Sequence, residues 1–131
     1  MSWQAYVDSS LVGSGHLDKA AIISAAGDSA WATTAGFTLK PEEMKHIADI
    51  LDNASGAVDK AYAEGVYVGG VRYVLTKVEG RSLYARQGRN GLCVAKTKQA
   101  ILVGHHGETH QAGNATQTVE ALADYLIGVG Y

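Results

Sequence analysis

GVYVGGVRYVLTKVEGRSLYARQGRNGLCVAKTKQAILV, residues 65–103, decides the fold. Its punctuation is Gly69-Gly70, Glu79-Gly80, Gly88 and Asn90-Gly91, pairs and singles that accept the positive dihedrals of tight hairpin turns. Between them lie short runs rich in Val, Tyr, Leu and Ile, residues that suit a pleated, half-buried surface. The pattern predicts an antiparallel meander of four or five strands that ends in Ala100–Val103.

Upstream, Ala20–Ser24 and Ser29–Thr34 are apolar runs joined by Ala26-Gly27-Asp28, which reads as a further hairpin. Pro41 opens a helix, with Glu42 and Glu43 in the first turn at the positive end of the dipole and Met44, Ile47, Ala48 and Leu51 as its stripe. Asp52-Asn53 is expected to end it. The two ends of the chain also read as helices. From Ser2 to Val12, Ser2 is a cap and Trp3, Tyr6, Val7, Ser10 and Leu11 recur at helical spacing. From about Asn114 to Ile127 the stripe is Ala115, Val119, Leu122, Ala123, Leu126 and Ile127. The expected class is α+β, a central antiparallel sheet with the terminal helices packed on one face.

A chain of 131 residues, 47% apolar and 18% charged, suits one compact domain spanning 1–131 with its own core. The first residues lack the basic and apolar blocks of a secretion signal, and no apolar run approaches the roughly 20 residues needed to cross a bilayer. The expected location is cytoplasmic. Cys93, the single cysteine, cannot form an internal disulfide and reads as a buried thiol. The net charge of −2 conceals an asymmetry, because Arg72, Lys77, Arg81, Arg86, Arg89, Lys96 and Lys98 are crowded between residues 71 and 99 against Glu79 alone. Such clustering predicts an electropositive side that attracts acidic partners, unless these are scattered, solvated strand residues.

Nine of the ten aromatic residues fall into two groups. Phe37, Tyr67, Tyr73 and Tyr84 read as core. Trp3 and Tyr6 share a helical face, Tyr125 falls about 120° from the middle of its helix's apolar stripe, and Tyr131 follows that helix. With the terminal helices side by side, these four and Trp31 would gather into an exposed patch. Rings along a shallow groove suit a polyproline II ligand, which is already extended and offers free carbonyls to indole N–H and phenol O–H donors. Sealing the helix ends is the alternative role for the same rings.

Four blocks carry a resemblance: MSWQAYVD at 1–8, RSLYAR at 81–86, KTKQAILV at 96–103 and LADYLIGVGY at 122–131. In order and over essentially the whole chain they resemble profilin, especially the short forms of fungi, amoebae and plants. The resemblance implies shorter helices on the second face of the sheet and a polyproline groove made of Trp3, Tyr6, Trp31, Tyr125 and Tyr131. It implies an actin-monomer face with Lys77, Arg86, Lys96, Lys98, Gln111, Gly113, Asn114 and Glu120 as candidates, and phosphoinositide contacts through Arg72, Lys77, Arg81 and Arg89. Proline-rich proteins, actin and phosphoinositide lipids are then the expected partners of a mainly monomeric, cytoskeleton-associated protein without nucleic-acid binding. Regulation of actin polymerisation and faster nucleotide exchange on actin are the implied activities.

Other chemistry finds little support. His105, His106, Glu108 and His110 do not follow a helical zinc spacing and fall at a strand end and loop, so no metal is expected. Gly13-Ser14-Gly15 precedes Asp18 where a dinucleotide fingerprint wants glycine, and reads as a turn. No nucleophile elbow or phosphate-cradling loop is present, which argues against an enzyme, and no cofactor is expected. The rival reading is a small α/β scaffold or ligand-sensing module without actin binding.

Overall fold

The computed structural model describes residues 2–52, 56–108 and 111–131. Seven strands form one antiparallel sheet: β1 Lys19–Ser24, β2 Ala30–Thr33, β3 Val66–Val68, β4 Val71–Glu79, β5 Ser82–Gln87, β6 Asn90–Lys96 and β7 Ala100–His106. Their spatial order is β2-β1-β7-β6-β5-β4-β3. The predicted meander is thus β3 to β7, and β7 turns back to pair with β1 over Lys19–Ser24. The early hairpin becomes one wing of the same sheet.

Helix α1 occupies residues 3–14 and changes pitch twice. One α-turn, Trp3–Ala5, runs into a wider π-turn, Tyr6–Leu11, and closes with a tight 3₁₀ turn, Val12–Ser14. The Ser2 hydroxyl accepts from Ala5 N at 3.1 Å, the cap expected from sequence. A Cβ on Gly13 would lie 2.8 Å from the Asp8 carbonyl oxygen, so a residue without a side chain lets the backbone pass here. Helix α2 is Pro41–Leu51, α3 is Ala57–Glu64 and α4 is Ala112–Gly128. The proposed terminator Asn53 lies outside the described residues. Asp52 caps α2, its N–H reaching Ala48 O. Helix α3 escapes the residue pattern because its only fully buried side chain is Ala61, too little apolar surface to make a stripe.

Two cores separate the layers. Against α2 and α3, the sheet presents Ile23, Leu75, Leu83, Leu92, Val94, Ile101 and Val103, packed with Phe37, Ile47 and Ile50. Against α1 and α4 it presents Ala20, Ile22, Cys93, Ala95 and Leu102, packed with Val7, Leu11, Val119 and Leu126. The central strands are therefore covered on both sides, which is why β6 and β7 read as almost unbroken apolar runs. Complete burial of each Ile or Leu contributes about 1.5–3 kcal/mol. Among the described residues no helix is long and apolar enough to cross a membrane.

Tyr67 departs from the core expectation. It sits in the three-residue edge strand β3 between the buried Val66 and Val68, so alternation turns its ring outward and leaves it 44% exposed. Phe37 and Tyr73 are buried as expected, and Tyr84 is half-buried. At the junction of α2 with the β3–β4 turn, the buried Glu43 carboxylate accepts Lys40 N at 2.8 Å, Gly69 N at 2.9 Å and Gly70 N at 2.8 Å. One side chain thus ties the start of α2 to the edge hairpin β3–β4, 26 residues farther along the chain.

Candidate functional site

Three separate segments bring the ring-bearing residues together. Helix α1 supplies Trp3 and Tyr6, strand β2 supplies Trp31, and α4 with the residues after it supplies Tyr125 and Tyr131. The ring of Trp3 lies 4.9 Å from Trp31, 5.1 Å from Tyr131 in an edge-on contact, and 5.8 Å from Tyr6. Tyr6 continues to Tyr125 at 6.3 Å. Gln4 helps hold α1 against β2, its Nε2 donating to Thr33 O at 2.9 Å. The result is a continuous row of rings along the seam of the terminal helices, in which Trp3 touches three of the other four.

One part of the expectation needs correcting. Trp31, Tyr125 and Tyr131 face water and Trp3 is half-buried, but Tyr6 is only 7% exposed. Tyr6 shares the inward stripe of α1 with Val7 and Leu11, so its ring forms the floor of the groove and not its wall. Burial, then a hydrogen bond and electrostatic interaction with Tyr125 and the nearby Tyr131, push its hydroxyl above the ordinary phenol range. The Tyr6 hydroxyl therefore stays protonated, a competent donor, throughout neutral pH.

A second concavity of about 650 Å³ opens on the same side of the sheet, between β4–β6 and the start of α4. Lys77, Arg86, Arg89 and Gly113 line it, with Cys93 and His106 in the wall. Gln111 caps α4 and Asn114 follows in its first turn, both exposed. Among the described residues Arg86 makes a long contact to Gly88 O at 3.5 Å, whereas Lys77 is paired with Glu79 at 2.5 Å. Its ammonium is held above the usual lysine range by that hydrogen bond and charge. Burial pushes the Cys93 thiol up, and the sulfur lies 3.2 Å from Thr116 Oγ1. The thiol is thus protonated at neutral pH.

The other candidates are dispersed. Glu120 lies farther along α4, where it receives Arg81 Nη2 at 2.8 Å and Tyr84 OH at 3.4 Å and also bonds Ser82 Oγ. Arg81 is further held by Asp124 at 2.7 Å. Lys96 follows Leu92 and Val94 onto the opposite face of the sheet and pairs with Asp52 at the end of α2. Lys98 is exposed in the β6–β7 turn, next to Gln99, whose N–H reaches Tyr131 O beyond the C-terminal end of α4, whereas Gly113 lies at its start. Arg72 folds back so that Nε donates to Glu64 O at 2.7 Å. Lys77, Arg86 and Gly113 are thus brought together, and so are Lys77 and Arg89, while Lys96, Lys98, Arg72 and Arg81 stand apart. The electropositive region is smaller than the residue count suggests, because Asp52, Glu79, Glu120 and Asp124 neutralise three of the seven cations.

Sequence reading passed over Val74, which is 52% exposed and sits opposite Arg86 in the β4–β5 register. An apolar residue at an outward strand position was its only signal. In the histidine segment, His105 is buried with Nδ1 2.5 Å from Asp18, and His106 is buried with its ring filling the space a Gly91 side chain would need. His110 lies outside the described residues.

The architecture leaves two separate surfaces, a ring-lined groove along the terminal helices and a mixed basic and apolar concavity between β4–β6 and the start of α4. The chain belongs to the profilin family, whose model matches residues 1–131. It is 47% identical to the profilin of Schizosaccharomyces pombe over 133 aligned residues that cover all of both chains. A solved structure of S. pombe profilin superposes with a TM-score of 0.92 at 45% identity, covering 99% of this chain and 100% of that one. Mouse profilin IIa keeps the same fold at 20% identity, with a TM-score of 0.79 over the whole of both chains.

Proposed function

We propose that this protein docks proline-rich ligands in the aromatic groove and holds an actin monomer on the face around Arg86. The single observation that carries the docking reading is the convergence of Trp3, Trp31, Tyr125 and Tyr131 over Tyr6 from three distant segments. Rings spaced this way pack on pyrrolidine faces while their N–H and O–H groups reach the ligand carbonyls. The mouse fold neighbour was solved in complex with a double repeat from the FH1 domain of mDia1. Titration with poly-L-proline tests the reading directly. Tryptophan emission is expected to change and saturate, because both tryptophans stand in the groove; unchanged emission would overturn it.

For actin, the support is family membership together with Arg86 and Gly113 on one concavity and the exposed Val74 opposite Arg86 in the β4–β5 register. A guanidinium on a partly apolar face suits an acidic protein surface, where it raises the encounter rate and sets the register. Reversing the charge in Arg86→Glu is expected to weaken actin-monomer affinity about tenfold. Unchanged affinity in sedimentation or fluorescence titration would remove Arg86 from the contact. Two separate faces let a proline-rich factor hold this protein while it presents its actin, which turns a bimolecular delivery into a local one. Faster nucleotide exchange on the bound actin belongs to the same proposal and is read by release of a fluorescent nucleotide from actin.

Lys77 and Arg89, which share the concavity, are the proposed phosphoinositide donors. Because Lys77 is already paired with Glu79, the association is expected to be weak and lost as salt rises. Vesicles with and without phosphoinositide, compared by co-sedimentation, check this; equal binding to both would sink it.

A further inference from the structure

We propose that Thr97, backed by Gln99, is a positioning residue for the aromatic groove, a latch that fixes Tyr131 against Trp3. The inference rests on the docking role given to that groove. Neither residue is aromatic and neither lines the row of rings, so neither belongs to the ring set already described.

The β6–β7 turn, residues 97–99, lies beside the segment that follows α4. Thr97 Oγ1 is 2.8 Å from the main-chain oxygen of Tyr131, and the same oxygen accepts Gln99 N at 2.5 Å. Gln99 Nε2 reaches Gly130 O at 3.3 Å. From the other side, Tyr131 N donates to Leu126 O at 2.8 Å. The N–H and this oxygen of Tyr131 are therefore held, although the residue lies beyond the last helical turn and is 41% exposed. Held in this way, the ring stands edge-on to Trp3 at 5.1 Å.

Thr97 is built for this task. It is 5% exposed, its hydroxyl oxygen accepts Ala100 N at 3.1 Å, and its one proton has a choice between Tyr131 O at 2.8 Å and Ala100 O at 3.3 Å. The shorter contact takes the proton. The Thr97 backbone is separately secured by its own N–H to Ala100 O at 2.8 Å, so contacts within the turn orient the hydroxyl. Because the turn joins two central strands, the rigidity of the sheet is passed to a ring that lies beyond the last helical turn. A ring that is already oriented loses less conformational freedom when a ligand arrives.

The test compares Thr97→Val, Thr97→Ser, Gln99→Ala and Tyr131→Ala, with Thr97→Val also made in the Tyr131→Ala background. Affinity for poly-L-proline is read by tryptophan fluorescence, and Trp3–Tyr131 ring proximity by nuclear Overhauser effects in the free protein. Thr97→Val, which keeps the shape but removes the hydroxyl both as donor to Tyr131 O and as acceptor of Ala100 N, is expected to lose the ring contacts and weaken binding about five- to tenfold. Thr97→Ser should restore both, and the exposed Gln99→Ala should lose less. In the Tyr131→Ala background Thr97→Val should change affinity by less than about twofold, since the ring it positions is gone. Wild-type ring contacts and affinity in Thr97→Val, or an equal loss in the Tyr131→Ala background, would overturn the latch. Should the wild-type protein ignore poly-L-proline, the docking reading falls, and the ring contacts in the free protein alone decide whether Thr97 holds Tyr131.

Discussion

Replacing Trp3 with alanine is expected to abolish retention on a poly-proline column while leaving the protein folded. Trp3 is the hub of the groove, in ring contact with Tyr6, Trp31 and Tyr131, so its loss separates Trp31 and Tyr131 from the rest of the row. Truncation of a central aromatic anchor typically costs about 2–4 kcal/mol of binding, which is roughly 30- to 1,000-fold in affinity. The folding cost should be smaller, because Trp3 only packs against the edge of the core while Val7 and Leu11 on the same helix remain fully buried. The Ser2 cap to Ala5 N is also untouched. Column retention measures the first effect, and the far-ultraviolet spectrum with a thermal melt measures the second. Undiminished retention would count decisively against the groove. Tyr6 would be a poorer probe, since its burial mixes binding with stability.

Glu43→Ala should be the most damaging single change among the polar side chains, with an expected loss of about 2–4 kcal/mol in unfolding free energy. The carboxylate is 5% exposed and receives three backbone N–H groups, from Lys40, Gly69 and Gly70. Alanine would leave the two glycine donors of a tight turn, and the one at the start of α2, without their acceptor. Glu43→Gln keeps one oxygen but turns an N–H toward a donor, so an intermediate loss is expected. Urea unfolding followed by tryptophan fluorescence checks both; a midpoint unchanged in Glu43→Ala would mean that water replaces the carboxylate without penalty. Gly27, in the β1–β2 turn, makes a related packing demand on α2. Its φ is +73°, and a Cβ there would meet Met44 O at 2.5 Å, so only glycine fits between turn and helix.

Much of this protein is legible in a single pass along the chain. The turn residues from Gly69 to Gly91 mark the meander, because hairpin dihedrals restrict which residues can occupy them, and five strands appear where four or five were expected. The period of α4 gives its buried stripe, and from that stripe the exposure of Tyr125. Helix α3 and the outward turn of Tyr67 were not legible. One has too few apolar residues to set a period, and the other alternates over only three positions.

The order of residues by itself determined the strands, helices α1, α2 and α4 and the placing of aromatic residues at both ends of the chain, since each follows from forces acting within a few residues. Only the tertiary structure decided which of those residues are available. Arg81 is neutralised by a carboxylate 39 positions away, Lys96 by one 44 away, and Tyr131 is tethered by a hydroxyl 34 away. The same packing put Tyr6 beneath the other rings and left Arg86 facing solvent. Pairings at that separation depend on how the layers stack, and no local period records them.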